Sequence, residues 1–114
     1  MSKKYSININ SNRKVIEMYV AGSFTPADAQ AFMSDYSRTV SSIDAPSYTL
    51  EVDCTEMNVV TPKMIPELEG SYQLYKQSGF HKVIFKIKKS TILKMQLSRL
   101  ARNTGLTQAE VIKI

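Results

Sequence analysis

Cysteine, histidine and tryptophan are nearly missing from this chain: one Cys, one His and no Trp in 114 residues. A lone cysteine excludes an internal disulfide and fits a reducing cytoplasm. One thiol and one imidazole are too few ligands for a tetrahedral metal site of the usual kind, so no metal is expected. The four glycines form neither a Gly-rich phosphate loop nor a dinucleotide fingerprint, which removes the sequence signs of a nucleotide cofactor. No apolar run approaches the roughly 18 residues of a membrane span. Behind Met1-Ser2-Lys3-Lys4 there is no apolar stretch either, so no secretory signal is expected. Linkers, low-complexity tracts and repeats are absent. The length suits one hydrophobic core, and the expectation is a single cytoplasmic domain over residues 1–114.

Acid is also missing, but only locally. Between Glu69 and Glu110 there is none, while Lys76, Lys82, Lys86, Lys88, Lys89, Lys94, Arg99 and Arg102 all fall there. Residues 1–69 carry six Lys/Arg against nine Asp/Glu, or −3; residues 70–114 carry nine against one, or +8, giving the overall +5. Such a field attracts nucleic acid, acidic protein or anionic lipid. The plainer reading is a solvated face balanced by the acidic half, within the fold or across a dimer.

What is present is a legible alternation of strand and helix patterns. Tyr5, Ile7 and Ile9 alternate as in a half-buried strand, Asn10-Ser11-Asn12-Arg13 carries turn chemistry, and Val15 to Val20 completes a hairpin. Thr25-Pro26-Ala27-Asp28 is a helix start, with Ala29, Phe32, Met33, Tyr36 and Val40 at helical spacing toward a core. Tyr48 to Cys54 reads as a third strand, with Leu50, Val52 and Cys54 on one face. Thr61-Pro62 repeats the helix-start device ahead of Ile65, Leu68, Tyr72 and Tyr75, and Pro66 sets where the regular helix begins. Lys82 to Ile87 is a fourth strand. Ser90 or Thr91 opens a third helix with a Leu93, Leu97, Leu100 stripe, stopped by Gly105. The tail is ambiguous: Thr107-Gln108-Ala109-Glu110 fits a capping box, while Val111-Ile112-Lys113-Ile114 favours a strand.

The segment VDCTEMNVVTPKMIPEL, Val52 to Leu68, gathers acid, thiol, hydroxyls and a lysine where a strand hands over to a helix. Sheets of this kind bind ligands at that edge. A nucleophilic Cys54 would need a base or a positive environment, and His81 has no spacing that places it there. Cys54 reads as a small core residue, Asp53 as a cap or salt-bridge partner in the loop, and Thr61 as a helix cap that is also a possible modification site. No acid–base pair is evident, so no catalytic residue is assigned.

The order of elements resembles the STAS domain, the fold of bacterial anti-sigma factor antagonists and stressosome proteins. Ala21-Gly22-Ser23-Phe24 before a helix is similar to that family's strand–Gly–helix opening. Val52-Asp53-Cys54-Thr55 is similar to its strand ending in Asp-x-Ser/Thr, and Tyr75 to Gly79 before Val83 to Ile87 to its helix–Gly–strand step. Ser90 to Leu106 resembles its closing helix. The resemblance spans nearly the whole chain. It implies an α/β fold with an N-terminal hairpin, then βαβαβα, in a four- to five-stranded mixed sheet covered mainly on one face. It also implies a regulatory protein partner. In the family, the loop after the third strand reads two apolar residues and then Asp-Ser-Ser/Thr-Gly-Leu, whose second hydroxyl is phosphorylated. Aligned on Val59-Val60, Thr61 stands at the aspartate, Lys63 at the acceptor, and the glycine is missing. A lysine puts positive charge where the phosphate would bring negative charge, so an intact phospho-switch is not expected.

Two binding functions follow. One is a non-catalytic regulatory protein-interaction domain that docks a partner, or itself as a homodimer, through Asp53, Thr55, Met57, Thr61, Lys63 and Met64, with Tyr72 nearby. The other is nucleic-acid binding through Lys88, Lys89, Lys94, Arg99 and Arg102. Leu100 to Val111 also resembles the start of a helix-turn-helix, with Gly105 at the turn and Thr107 capping a recognition helix of about two turns.

Overall fold

A computed structural model describes residues 5–20, 26–56, 62–88 and 90–114. Strands β1 (Tyr5–Asn10) and β2 (Val15–Val20) form an antiparallel hairpin. Then follow α1 (Pro26–Ser41), β3 (Thr49–Asp53), α2 (Ile65–Ser78), β4 (Lys82–Ile87), α3 (Thr91–Thr104) and β5 (Ala109–Lys113). Single 3-10 turns at Ala45–Ser47 and Pro62–Met64 precede β3 and α2.

The sheet is five-stranded and mixed, in the order β1-β2-β3-β4-β5, with β2 to β5 parallel. Three parallel crossovers step the same way along the sheet, and with the right hand that such connections take they place every helix on one face. Burial agrees with this. Ile16, Met18, Leu50, Val52, Val83, Phe85 and Ile87 share a core with Phe32 and Tyr36 of α1, Tyr72 and Tyr75 of α2, and Leu93, Leu97 and Leu100 of α3. The alternate residues Glu17, Glu51 and Lys86 line the other face, which no described helix covers. Inside the core, the rings of Tyr72 and Phe85 stack at 4.9 Å and 13°, and the Tyr72 hydroxyl donates to the Leu97 carbonyl at 3.1 Å. This tyrosine ties α2 to the sheet and to α3 at once.

Local devices end the elements as the sequence predicts. Asn10 Oδ1 accepts from the Arg13 N–H at 3.2 Å in the hairpin loop. Ser90 caps α3 by accepting from the Leu93 N–H at 3.2 Å. Gly105 takes φ 76° at the other end, and the Leu106 N–H reaches back to the Ala101 carbonyl at 2.9 Å. That six-to-one bond with a buried Leu106 is a Schellman stop. The Thr25 and Thr61 caps lie outside the described residues.

The structure decides two readings that the sequence left open, the tail and Tyr72, and corrects another, the burial of Met33 and Ile65. The tail is a strand, so neither the short helix nor the recognition helix of a helix-turn-helix forms. Val111 and Ile112 gain a ladder on β4, extended by the bond from the Ile114 N–H to the Ile87 carbonyl at 2.9 Å. Long-range pairing of β-branched residues outweighs a local capping box. Met33 and Ile65, expected in the core, are 48% and 39% exposed. Tyr72, readable as a core residue at helical spacing or as part of a contact surface, is a core residue, its ring filling the space over Phe85.

Candidate functional site

Strand alternation separates the chemistry-bearing residues at the end of β3. Asp53 turns toward the open face, where Ser6, Tyr19, Glu51 and Lys86 surround it, and Cys54 turns into the helix-covered side. Asp53 Oδ1 accepts from the Thr55 N–H at 3.0 Å and from the Thr55 hydroxyl at 2.6 Å. This side-chain turn ends the strand and directs the chain toward α2. Across the same edge, Glu56 faces Lys88 at 3.9 Å, linking the loops after β3 and β4.

The expected partner-binding set is only partly described. Asp53 and Thr55 sit together; Lys63 is exposed in the 3-10 turn that leads into α2. Met64 belongs to that turn, but its side chain, like Met57 and Thr61, lies outside the described residues.

Cys54 is a buried thiol, and burial together with the Asp53 charge pushes it up to about 12. His81 cannot serve it. The His81 N–H bonds the Tyr48 carbonyl at 3.0 Å, which aligns it with the start of β3. Cys54 is six residues further on, about 20 Å away at ~3.3 Å per strand residue. Among the described residues, no group of three or more His, Cys, Asp or Glu side chains could hold a metal ion.

The basic set divides. Lys82 pairs with Glu110 at 2.9 Å and Lys86 with Glu51 at 2.8 Å, so the strand lysines are largely neutralised within the chain. Lys94, Arg99 and Arg102 are exposed on α3 and have no carboxylate partner among the described residues. Lys89 lies outside the described residues.

Two features escaped the sequence reading. The first is an ionic network on the open face: Glu51, only 13% exposed, is held by Lys86 at 2.8 Å and by Arg13 at 3.6 Å. Its signal was the placement of Glu51 and Lys86 at alternate positions of predicted strands. The second is an apolar cavity of about 240 Å³ at the carboxyl ends of β2 and β3, between the amino-terminal halves of α1 and α2. The two helices touch further along, where the Tyr36 hydroxyl meets Ser78 Oγ at 2.7 Å and the rings of Tyr36 and Tyr75 lie 5.6 Å apart. Near their starts the facing residues shrink to Ala29, Gly70 and Ser71, and a gap opens.

The fold and this edge define an α/β domain with one sheet face that no described helix covers and an apolar cleft where its parallel strands end. Compared with known protein families and with curated proteins, the chain matches none. No helix among the described residues is long and apolar enough to cross a membrane.

Proposed function

We propose that this chain is a non-catalytic, STAS-like regulatory domain of the cytoplasm that docks a protein partner at the edge where β3 leads into α2. The observation that carries the reading is the half-exposed pair Met33 and Ile65 beside the apolar cleft, with Lys63 exposed two residues before Ile65. Large apolar side chains left in water around a concavity are characteristic of an interaction surface. An exposed lysine in the turn that leads into the α2 side of the cleft selects a partner carrying an acidic side chain near its apolar anchor. The hairpin followed by alternating helices and parallel strands supports the family resemblance. Two copies of the chain would satisfy the same surface, which makes a homodimer one form of the proposal.

The test is capture from nuclease-treated extract by the tagged chain, compared with Lys63→Glu and Arg99→Glu variants. A stoichiometric protein held by the wild type, lost with Lys63→Glu and kept with Arg99→Glu, is the expected outcome. Capture indifferent to Lys63→Glu would place the docking surface elsewhere.

Lys94, Arg99 and Arg102, which have no carboxylate partner among the described residues, favour a second reading, an anionic partner such as nucleic acid along α3. Binding to a mixed-sequence duplex at low salt, falling steeply as salt is added and weakened by Arg99→Glu, would support it. No binding at low salt would end it.

A further inference from the structure

We propose that the cavity between α1, α2 and the sheet is a binding site for a small uncharged apolar molecule, about one substituted ring or a chain of six to ten carbons. Its wall is built from Phe32, Val52, Cys54, Tyr72 and Phe85, with the half-exposed Met33 at one side. The size decides the class of occupant. An apolar space of about 150 Å³ suffices for benzene, so about 240 Å³ admits a somewhat larger molecule but neither a nucleotide nor a long acyl chain.

Polarity decides the rest. Among the described residues, every buried side-chain nitrogen and oxygen already has a hydrogen-bond partner. Tyr72 donates to Leu97, and Ser71 Oγ donates to the Glu67 carbonyl. A charged or strongly polar group placed against that buried wall would lose its hydration and find no unpaired polar side chain there, whereas an apolar one loses only its contact with water; the charge of Glu67 lies on the exposed part of the lining.

The cavity is also kept open at a cost to the helix. Gly70 lies inside α2, away from either end, and is not among the glycines with positive φ. A methyl group placed there would meet no other atom within 4 Å. Neither backbone conformation nor crowding asks for glycine at this position, and glycine weakens a helix relative to alanine. Its effect is to leave space on the α2 side of the cleft, which Ala29 of α1 also lines. The location, at the carboxyl ends of parallel strands, is where open α/β sheets bind small molecules. This site shares its cleft and Met33 with the partner-docking reading but does not rest on it, since ligand binding is read on the isolated chain, whatever partner capture shows.

The experiment uses the purified full chain labelled with ¹³C at the methionine methyls, the Met33 signal being identified with Met33→Leu. Toluene is titrated against benzoate, its charged counterpart of similar size. The expected result is a saturable shift of the Met33 methyl with toluene and a rise in Tm of roughly 5 °C at ten times Kd. Benzoate should leave both unchanged. Gly70→Leu and Ala29→Leu, which fill the cavity from opposite walls, should each weaken toluene binding at least tenfold while the circular dichroism stays native. If one of them fails to fold, the other decides. Absence of a saturable toluene shift would overturn the site, as would unaltered toluene binding in a folded filled variant. Benzoate binding equal to that of toluene would overturn the ligand class.

Discussion

Raising the pH above 9 should unfold this protein over a narrow range, because four acidic protons are locked in its core. Burial pushes the Cys54 thiol from an ordinary 9.0 to about 12 and the Tyr36 hydroxyl from 10.0 to about 12. Burial also raises Tyr72 and Tyr75 well above 10.0. All four side chains are at most 3% exposed. In the unfolded chain the thiol ionises from about pH 9 and the phenols from about pH 10, while the folded chain keeps all four protons. The unfolded state therefore binds fewer protons, and stability falls as pH rises. Below pH 9 both states hold their protons and the four groups contribute no pH dependence. One unit of separation is about 1.4 kcal/mol per group. At pH 11 the thiol thus contributes about 3 kcal/mol of destabilisation and the three phenols together about 4, near 7 in total. A chain of this length has roughly 6–17 kcal/mol to lose. Cooperative unfolding around pH 11 is the expectation. Far-ultraviolet circular dichroism should be followed together with the phenolate absorbance band, at constant ionic strength. The phenolates of Tyr36, Tyr72 and Tyr75 should emerge only as the helical signal collapses, and Tyr72→Phe should make the alkaline decline shallower. Ionisation of all six tyrosines near pH 10 with the helical signal intact would refute the reasoning.

Three further outcomes follow from particular residues. Gly105→Ala forces a Cβ onto φ 76° and presses toward the Lys76 ammonium, so urea denaturation should show a loss of about 1–2 kcal/mol. Gly70→Ala should act in the opposite sense, raising stability by roughly 0.5–1 kcal/mol, because the new methyl meets open space in a helix; a loss would mean that the cavity wall is filled. Lys86→Met strips Glu51 of its 2.8 Å partner on the open face and should lower stability by about 1–2 kcal/mol, and the double variant with Glu51→Leu should recover most of it. A double-mutant cycle in urea gives the coupling, and additive losses would show that the pair is only a surface contact.

Lys82, Lys86 and Lys88 illustrate how the charge asymmetry of the two halves resolves. In the sequence they belong to a block of unrelieved positive charge. In the fold, parallel pairing sets Lys86 beside Glu51 and Lys82 beside Glu110, so each strand lysine meets an acid from a neighbouring strand. The cations of α3 have no such neighbour among the described residues, because a helix flank on the outer layer faces solvent. Among the described residues, these are the core of the anion-binding reading.

Local signals determined what local physics controls. The period-two runs at Leu50, Val52 and Cys54 and at Val83, Phe85 and Ile87 defined strands and their buried face. Ser90 and Gly105 defined the ends of α3, because a hydroxyl cap and a left-handed glycine act within one turn of the chain. The side-chain turn from Asp53 to Thr55 was legible for the same reason. Three things were decided only by tertiary structure. The tail became β5 because β4 offered it a partner ladder, a term absent from any window of the sequence. Met33 and Ile65 had helical core spacing, yet the divergence of α1 and α2 at their starts left them in water. The cavity itself arises from Ala29, Gly70 and Ser71 facing one another across two helices more than forty residues apart in register with no single element empty. Space between elements is a property of their packing, and a sequence records only the sizes of the side chains that fail to fill it.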